Sequence, residues 1–244
     1  MLRRVVILFV ALFTLVEMSA QTPINESILA KISDVNSHLY YPNLILRYKE
    51  GGAMSDEEYH HLYYGYAYQA TYRPLEVNPA MTRVQEIMAR LSIDTPSVYD
   101  IDELIAAGIA AMEHDPFSPQ LLNILAYAYG ALEDREREVL YFGHLNGVLR
   151  AIERSGTGLK EESPWHILMF SHAYDLLASK SYIYNEARIV SRSVEFVPLR
   201  TKSHDGTKGF YFDYSRIYSR KPDDMSFRKD RTWQVNNLPP TEYK

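Results

Sequence analysis

His172, Tyr174 and Asp175 form the densest run of groups able to do chemistry in this chain. An imidazole titrates near neutrality, so a histidine beside a carboxylate suits acid–base work or the orientation of a ligand. On a strand, His172 and Tyr174 would share a face and Asp175 would point the other way. No complete triad accompanies them, which favours a hydrogen-bonded structural motif. His172 and Asp175 are therefore weak catalytic candidates.

Other reactive patterns are poorer still. The eight histidines include the neighbours His60 and His61 and the pair His166 and His172, but neither has metalloprotease spacing. His60 and His61 are expected on a helix surface, and no metal or cofactor is expected. There is no cysteine, which excludes thiol nucleophiles, thiolate zinc sites, disulfides and lipid attachment through cysteine. A Gly-x-Ser-x-Gly elbow is missing. Ser226-x-x-Lys229 has the spacing of a Ser-Lys pair but lies in an expected strand without companion motifs, so it reads as a chance match. Ser155-Gly156-Thr157-Gly158 can be drawn as a phosphate cradle. It follows a helix and lacks the Gly-Lys-Ser/Thr order, so a glycine helix stop is the better reading.

Tyrosine is the compositional oddity, with 20 residues against two tryptophans. A tyrosine buries a large ring while keeping a hydroxyl that needs a partner, which suits helix packing and also binding grooves. Tyr63, Tyr64, Tyr66 and Tyr68 cannot all face inward on one helix, so some rings are expected to be exposed or to meet another element. Tyr63, Tyr64 and Tyr66 are the leading binding residues, joined by Tyr174, Tyr211 and Trp233. Tyr211, Tyr214, Tyr218 and Trp233 sit among Arg216, Arg220, Lys221, Arg228 and Arg231. That strip suits an anionic partner or packing against an acidic region.

The elements that must position these groups change along the chain. Residues 1–20 read as a signal peptide: Arg3 and Arg4, then an apolar run from Val5 to Val16, then Ser19-Ala20. The run is too short to span a bilayer, so no transmembrane segment is expected after cleavage. The mature chain is expected to be soluble, periplasmic or extracellular, and not a lipoprotein. Residues 21–179 carry 11 basic and 22 acidic side chains, whereas residues 180–244 carry 13 and 8. The whole chain is at −5 with a pI near 5.9, which argues against a nucleic-acid partner.

Residues 21–162 are expected to be helical. Ser55 with Glu57 and Glu58 marks a helix start, and Ala80–Leu91, Asp100–Glu113, Pro119–Leu132 and Glu136–Ile152 follow at helical period. The last of these carries Val139, Phe142, Leu145, Leu149 and Ile152 as its apolar stripe. Leu122, Leu125, Ala126 and Tyr129 match the first helix of a tetratricopeptide repeat, with Phe142 on the second. Residues 163–244 are expected to form an antiparallel β region. Trp165–Phe170 can begin a helix or form a buried strand. Arg188–Leu199 and Gly209–Tyr218 are strand-like, joined through an Asp205-Gly206 turn, with a further strand at Ser226–Val235. The fold class is α+β, with tetratricopeptide-like helical hairpins followed by a small antiparallel sheet.

Several segments also resemble a family of secreted proteins known as domain of unknown function 4919. They are Tyr40–Leu44 with Arg47-Tyr48, Glu57–Tyr66, Ser155–Gly158, His172–Asp175 and Gly209–Asp213. The family's pattern has Glu where Ala173 stands here, which weakens the case for a catalytic acidic pair. The resemblance implies a location in the bacterial envelope and no particular activity. The function expected is a non-enzymatic interaction or accessory module with an envelope protein or polysaccharide as partner. The alternatives are a polymer-degrading hydrolase using His172 and Asp175, or a glycan-binding module.

Overall fold

Ser55 opens the central helix of the molecule. Its hydroxyl accepts from the Glu58 amide, and the Glu58 carboxylate accepts in return from the Ser55 amide at 2.7 Å. This reciprocal cap satisfies two orphan donors at once. The computed structural model describes residues 21–92 and 95–221. Its helices are α1 (Asn25–Ser33), α2 (Tyr41–Lys49), α3 (Asp56–Gly65), α4 (Ala80–Arg90), α5 (Val98–Met112), α6 (Pro119–Ala131), α7 (Arg135–Glu153), α8 (Phe170–Ser179) and α9 (Ser215–Tyr218). A 3₁₀ turn, Tyr66–Tyr68, continues α3. The strands are β1 (Trp165–His166), β2 (Arg188–Ile189), β3 (Val194–Pro198) and β4 (Gly209–Asp213).

α3 is encased by α1, α2 and α7, so every residue from Tyr59 to Gly65 is buried. A helix covered on all sides needs no polar face. Of the two expected fates for the tyrosine run, exposure or contact with another element, the second holds for Tyr63, Tyr64 and Tyr66: all three lie in the core. His60 and His61, expected on a helix surface, are buried with them.

α4 to α7 pack in sequence order, each on the next. Ser97, Ser118 and Asp134 accept backbone amides at the starts of α5, α6 and α7. Two apolar clusters result. The larger joins α1–α3, α7, α8 and the sheet, and the smaller sits between α4, α5 and α6 around Ile87, Leu104 and Ile124. The expected stripe of α7 is only half covered: Leu145, Leu149 and Ile152 are buried, but Val139 and Phe142 are not.

The sheet order is β1-β4-β3-β2. β2–β3 and β3–β4 are antiparallel, whereas β1 runs parallel to β4, with Trp165 opposite Phe212. The sheet is therefore mixed, correcting the antiparallel expectation. β1 reaches β4 through the crossover that contains α8, and parallel pairing needs such a connection. The apolar run at 165–170 is both things in turn: a two-residue strand, then the start of α8. Gly158, at φ +67°, carries the chain from α7 to β1, and a Cβ there would lie 2.6 Å from the Trp165 ring. The expected turn at Asp205-Gly206 is present, with Gly206 at φ +85°.

Candidate functional site

The reactive run falls on α8, which starts just past β1 with Met169 extended ahead of it. On a helix, residues three apart share a face, so His172 and Asp175 lie together and Tyr174 points aside. The strand geometry, one of two open readings of this segment, does not apply. His172 is fully enclosed, at 0% exposure. Its Nδ1 lies 2.7 Å from the Tyr63 hydroxyl and its Nε2 lies 2.9 Å from Asp115 Oδ2. The Leu168 amide donates to the Tyr63 oxygen at 3.2 Å. One donor order satisfies the whole chain: Leu168 N–H to Tyr63, Tyr63 O–H to Nδ1, Nε2–H to Asp115. That order places a proton on Nε2.

Asp115 comes from the turn between α5 and α6. Its Oδ1 accepts from the Phe117 amide at 3.3 Å, and its carbonyl accepts from the Ser118 amide. The turn thus holds the carboxylate that holds the imidazole. Sequence reading took Asp115-Pro116 only as a helix stop. The one local signal was an Asp two residues ahead of an amide it can cap, and its partner on α8 is 57 positions away.

Asp175 is the group with a displaced proton affinity. Burial pushes its carboxyl up to about 6, and the Asp115 charge adds to this, while His172 and the Gln120 backbone oppose it. Its Oδ2 is buried without a hydrogen-bond partner among the described residues. The residue lines a cleft of about 280 Å³ with Gln120, Asn123 and Ser179. Asp115 borders an adjoining cleft of about 320 Å³ that also includes Gln120, His114 and Ser171. Chemically, His172 has no free nitrogen to offer a substrate, and Asp175 and Asp115 each border an opening.

The remaining binding candidates are dispersed. Tyr63 and Tyr64 are enclosed, and the Tyr64 hydroxyl donates to the carbonyl of His166 at 2.9 Å. Tyr66 donates to the carbonyls of Thr71 and His114, both at 3.1 Å. Tyr174 packs tilted against Tyr184 with ring centroids 4.9 Å apart, and Tyr211 lies against Phe196 across β3 and β4 at 4.8 Å. Trp233, Arg228, Arg231, the Ser226–Lys229 pair, the strand at Ser226–Val235 and the signal at 1–20 lie outside the described residues. Of the described basic strip Arg216 is buried, and Arg220 and Lys221 lie at the surface. Arg216 donates to the Pro23 carbonyl at 2.7 Å and stands over the Tyr64 ring, and Arg220 stands over Tyr72. The amides of Thr157 and Gly158 are spent on the Ser163 carbonyl, so the glycine loop is a clasp with those donors already used.

Another opening lies elsewhere. A groove of about 570 Å³ runs between α6 and α7, lined by Pro96, Asn123, Tyr127, Glu138 and Phe142 among others. Phe142 is 55% exposed and Val139, one turn back, 59%. Among the described residues there is no cluster of three or more His, Asp or Glu side chains placed to hold a metal ion, and no helix long and apolar enough to cross a membrane.

No curated protein and no solved structure matches the chain. A family model does match, over residues 26–222. The span covers α1 to α9 and every residue of the His172 network. The chain belongs to the family described as Domain of unknown function (DUF4919).

Proposed function

We propose that this chain is an exported protein of the cell envelope that works as a non-enzymatic interaction module, docking a protein partner in the groove between α6 and α7. The observation that carries this is the uncovered half of the α7 stripe. Phe142 and Val139 are large apolar side chains left in water beside a groove of about 570 Å³, the arrangement expected of an anchor surface. The packing of α4 on α5 and α6 on α7 as consecutive hairpins favours the tetratricopeptide-like reading. The short apolar run after Arg3-Arg4 supports export. His172 and its partners are accounted for as interior fasteners.

The test is photocrosslinking in intact cells, with a benzophenone amino acid in place of Phe142 and a control at Gly206 in the β3–β4 hairpin. The reading expects a discrete adduct in the envelope fraction from position 142 and none from 206. The same adducts at both positions, or none at 142, would contradict it.

A hydrolase is the second reading, favoured by one observation: an acid raised to about 6 that borders a cleft. It requires turnover of a cell-wall or dietary polymer by the purified protein that disappears in Asp175→Asn.

A further inference from the structure

The docking groove does not end at Phe142. Asn123 lines it and also lines the cleft of about 280 Å³ beside Asp175, and Gln120 lines that cleft and the one beside Asp115. The three openings thus adjoin in a line along α6. Gln120, Asn123 and Tyr127 recur there at helical spacing, so one face of α6 borders all of them. Gln120 and Asn123 are exposed, and neither carboxamide makes a hydrogen bond among the described residues. A carboxamide offers a donor and an acceptor together, which is what a peptide unit presents in return.

The charges along this line are uneven. In the Phe142 groove, Arg135 and Glu138 bond each other at 2.6 Å, so that end is neutral. In the middle cleft the lining is neutral except for Asp175, whose Oδ2 has no hydrogen-bond partner among the described residues. The cations that could answer it are engaged elsewhere. His172 donates to Asp115, and Lys180, just past the end of α8, pairs with Glu153. An acid at a cleft with no cation of its own asks for one from outside. The surrounding residues 21–179 carry 22 acidic side chains against 11 basic, a field that draws a cationic partner.

We propose that the partner seated beside Phe142 is an extended peptide segment that places a lysine or arginine side chain in the Asp175 cleft, with its backbone along Gln120 and Asn123. The proposal rests on the interaction-module reading and names the chemistry of its partner. Along α6, Gln120 and Tyr127 are about 10 Å apart at roughly 1.5 Å per residue. An extended chain covers that length in about three residues, so the apolar anchor and the cation stand three positions apart in the partner. A helical partner would have spent its backbone groups on itself and left both carboxamides unanswered.

The probe is acetyl-Leu-Ala-Ala-Lys-amide, titrated into the protein and followed through the methyl signals of Ala126 in the groove and Leu145 in the cleft. The same peptide with glutamate or norleucine in place of lysine is run in parallel. The expected result is saturable shifts at both methyls with the lysine peptide, at least tenfold weaker binding with norleucine, and none with glutamate. Asp175→Asn should keep the fold and weaken the lysine peptide about tenfold, the worth of a hydrogen bond to a charged group, while leaving the norleucine peptide unchanged. That contrast separates a charge contact from a repacked cleft. No saturable shift, equal affinity of the three peptides, or an undiminished lysine peptide in Asp175→Asn would overturn the proposal. So would a dimer, formed without peptide, that Asp175→Asn dissociates, because a second copy would then occupy the line of clefts. A crosslinked adduct at position 142 alongside any of those results would fell this proposal and leave the docking groove standing.

Discussion

Replacing Asp115 with Asn leaves the His172 Nε2–H bond without its charged acceptor in a site that excludes water. Weakening a buried hydrogen bond to a charged group costs roughly 1.5–3 kcal/mol, so Asp115→Asn should lower the urea midpoint. Tyr63→Phe, which strips one link from the same chain, should cost about 1–3 kcal/mol. The two losses should not add, because the residues share one network. A double-mutant cycle by urea denaturation checks this, and simple additivity would count against a connected chain. Asp175 goes the other way. Its folded pKa, about 6, lies above the unfolded value of 3.8, so its contribution is favourable below pH 3.8 and is lost as pH rises through 6. At pH 7 it is ionised at a cost, and Asp175→Asn should raise stability by on the order of 2 kcal/mol. His172 and Asp175 were legible in sequence as a polar cluster. Asp115 and Tyr63 were not legible as their partners, because contacts across 57 and 109 positions leave no local pattern.

At the scale of elements, legibility followed the caps. Ser55 and Glu58 announce α3, and α4 to α7 appear within two residues of their expected limits. α5 to α7 join serine or aspartate caps to a 3.6 period, whereas α4 starts at Pro79 without a side-chain cap and is read from its period alone. α1 and α2 were invisible to periodicity. α1 buries only Ile28 and Ile32, and neither helix has a side-chain cap. The mixed sheet was misjudged because β1 is two residues long and its partner lies beyond α8. The capping box gives its own prediction: Ser55→Ala should cost about 1 kcal/mol and lower the melting temperature by a few degrees. Glu58→Ala should do the same, with the additional loss of its 2.7 Å pairing to Arg47.

At the scale of the whole molecule, three histidines are buried in the uncharged form. Burial holds His60 down at about 3 and His144 and His166 at about 4. For His166 the Asp213 carboxylate partly offsets the burial. An unfolded histidine binds its proton near 6.5, so as pH falls below that value the unfolded chain takes up protons that the folded one refuses. Stability is therefore full above pH 6.5 and is lost as pH falls towards 4. Each unit of separation is worth about 1.4 kcal/mol, and three such groups together rival the 5–15 kcal/mol net stability of a domain. Asp175 opposes them as a single group. The urea midpoint should fall steeply between pH 6.5 and 5, and a flat profile would contradict the neutral-histidine assignment.

The tyrosines resolve at this scale too. They serve the interior at Tyr63, Tyr64 and Tyr66, and the proposed docking surface is the groove beside Phe142. The most direct measurement takes the partner captured at position 142 and titrates it calorimetrically with wild type and with Phe142→Glu. Phe142 is more than half exposed, so the variant should melt with wild type while losing at least tenfold in affinity, a loss of about 1.4 kcal/mol or more. Equal affinity in a folded variant would contradict the account.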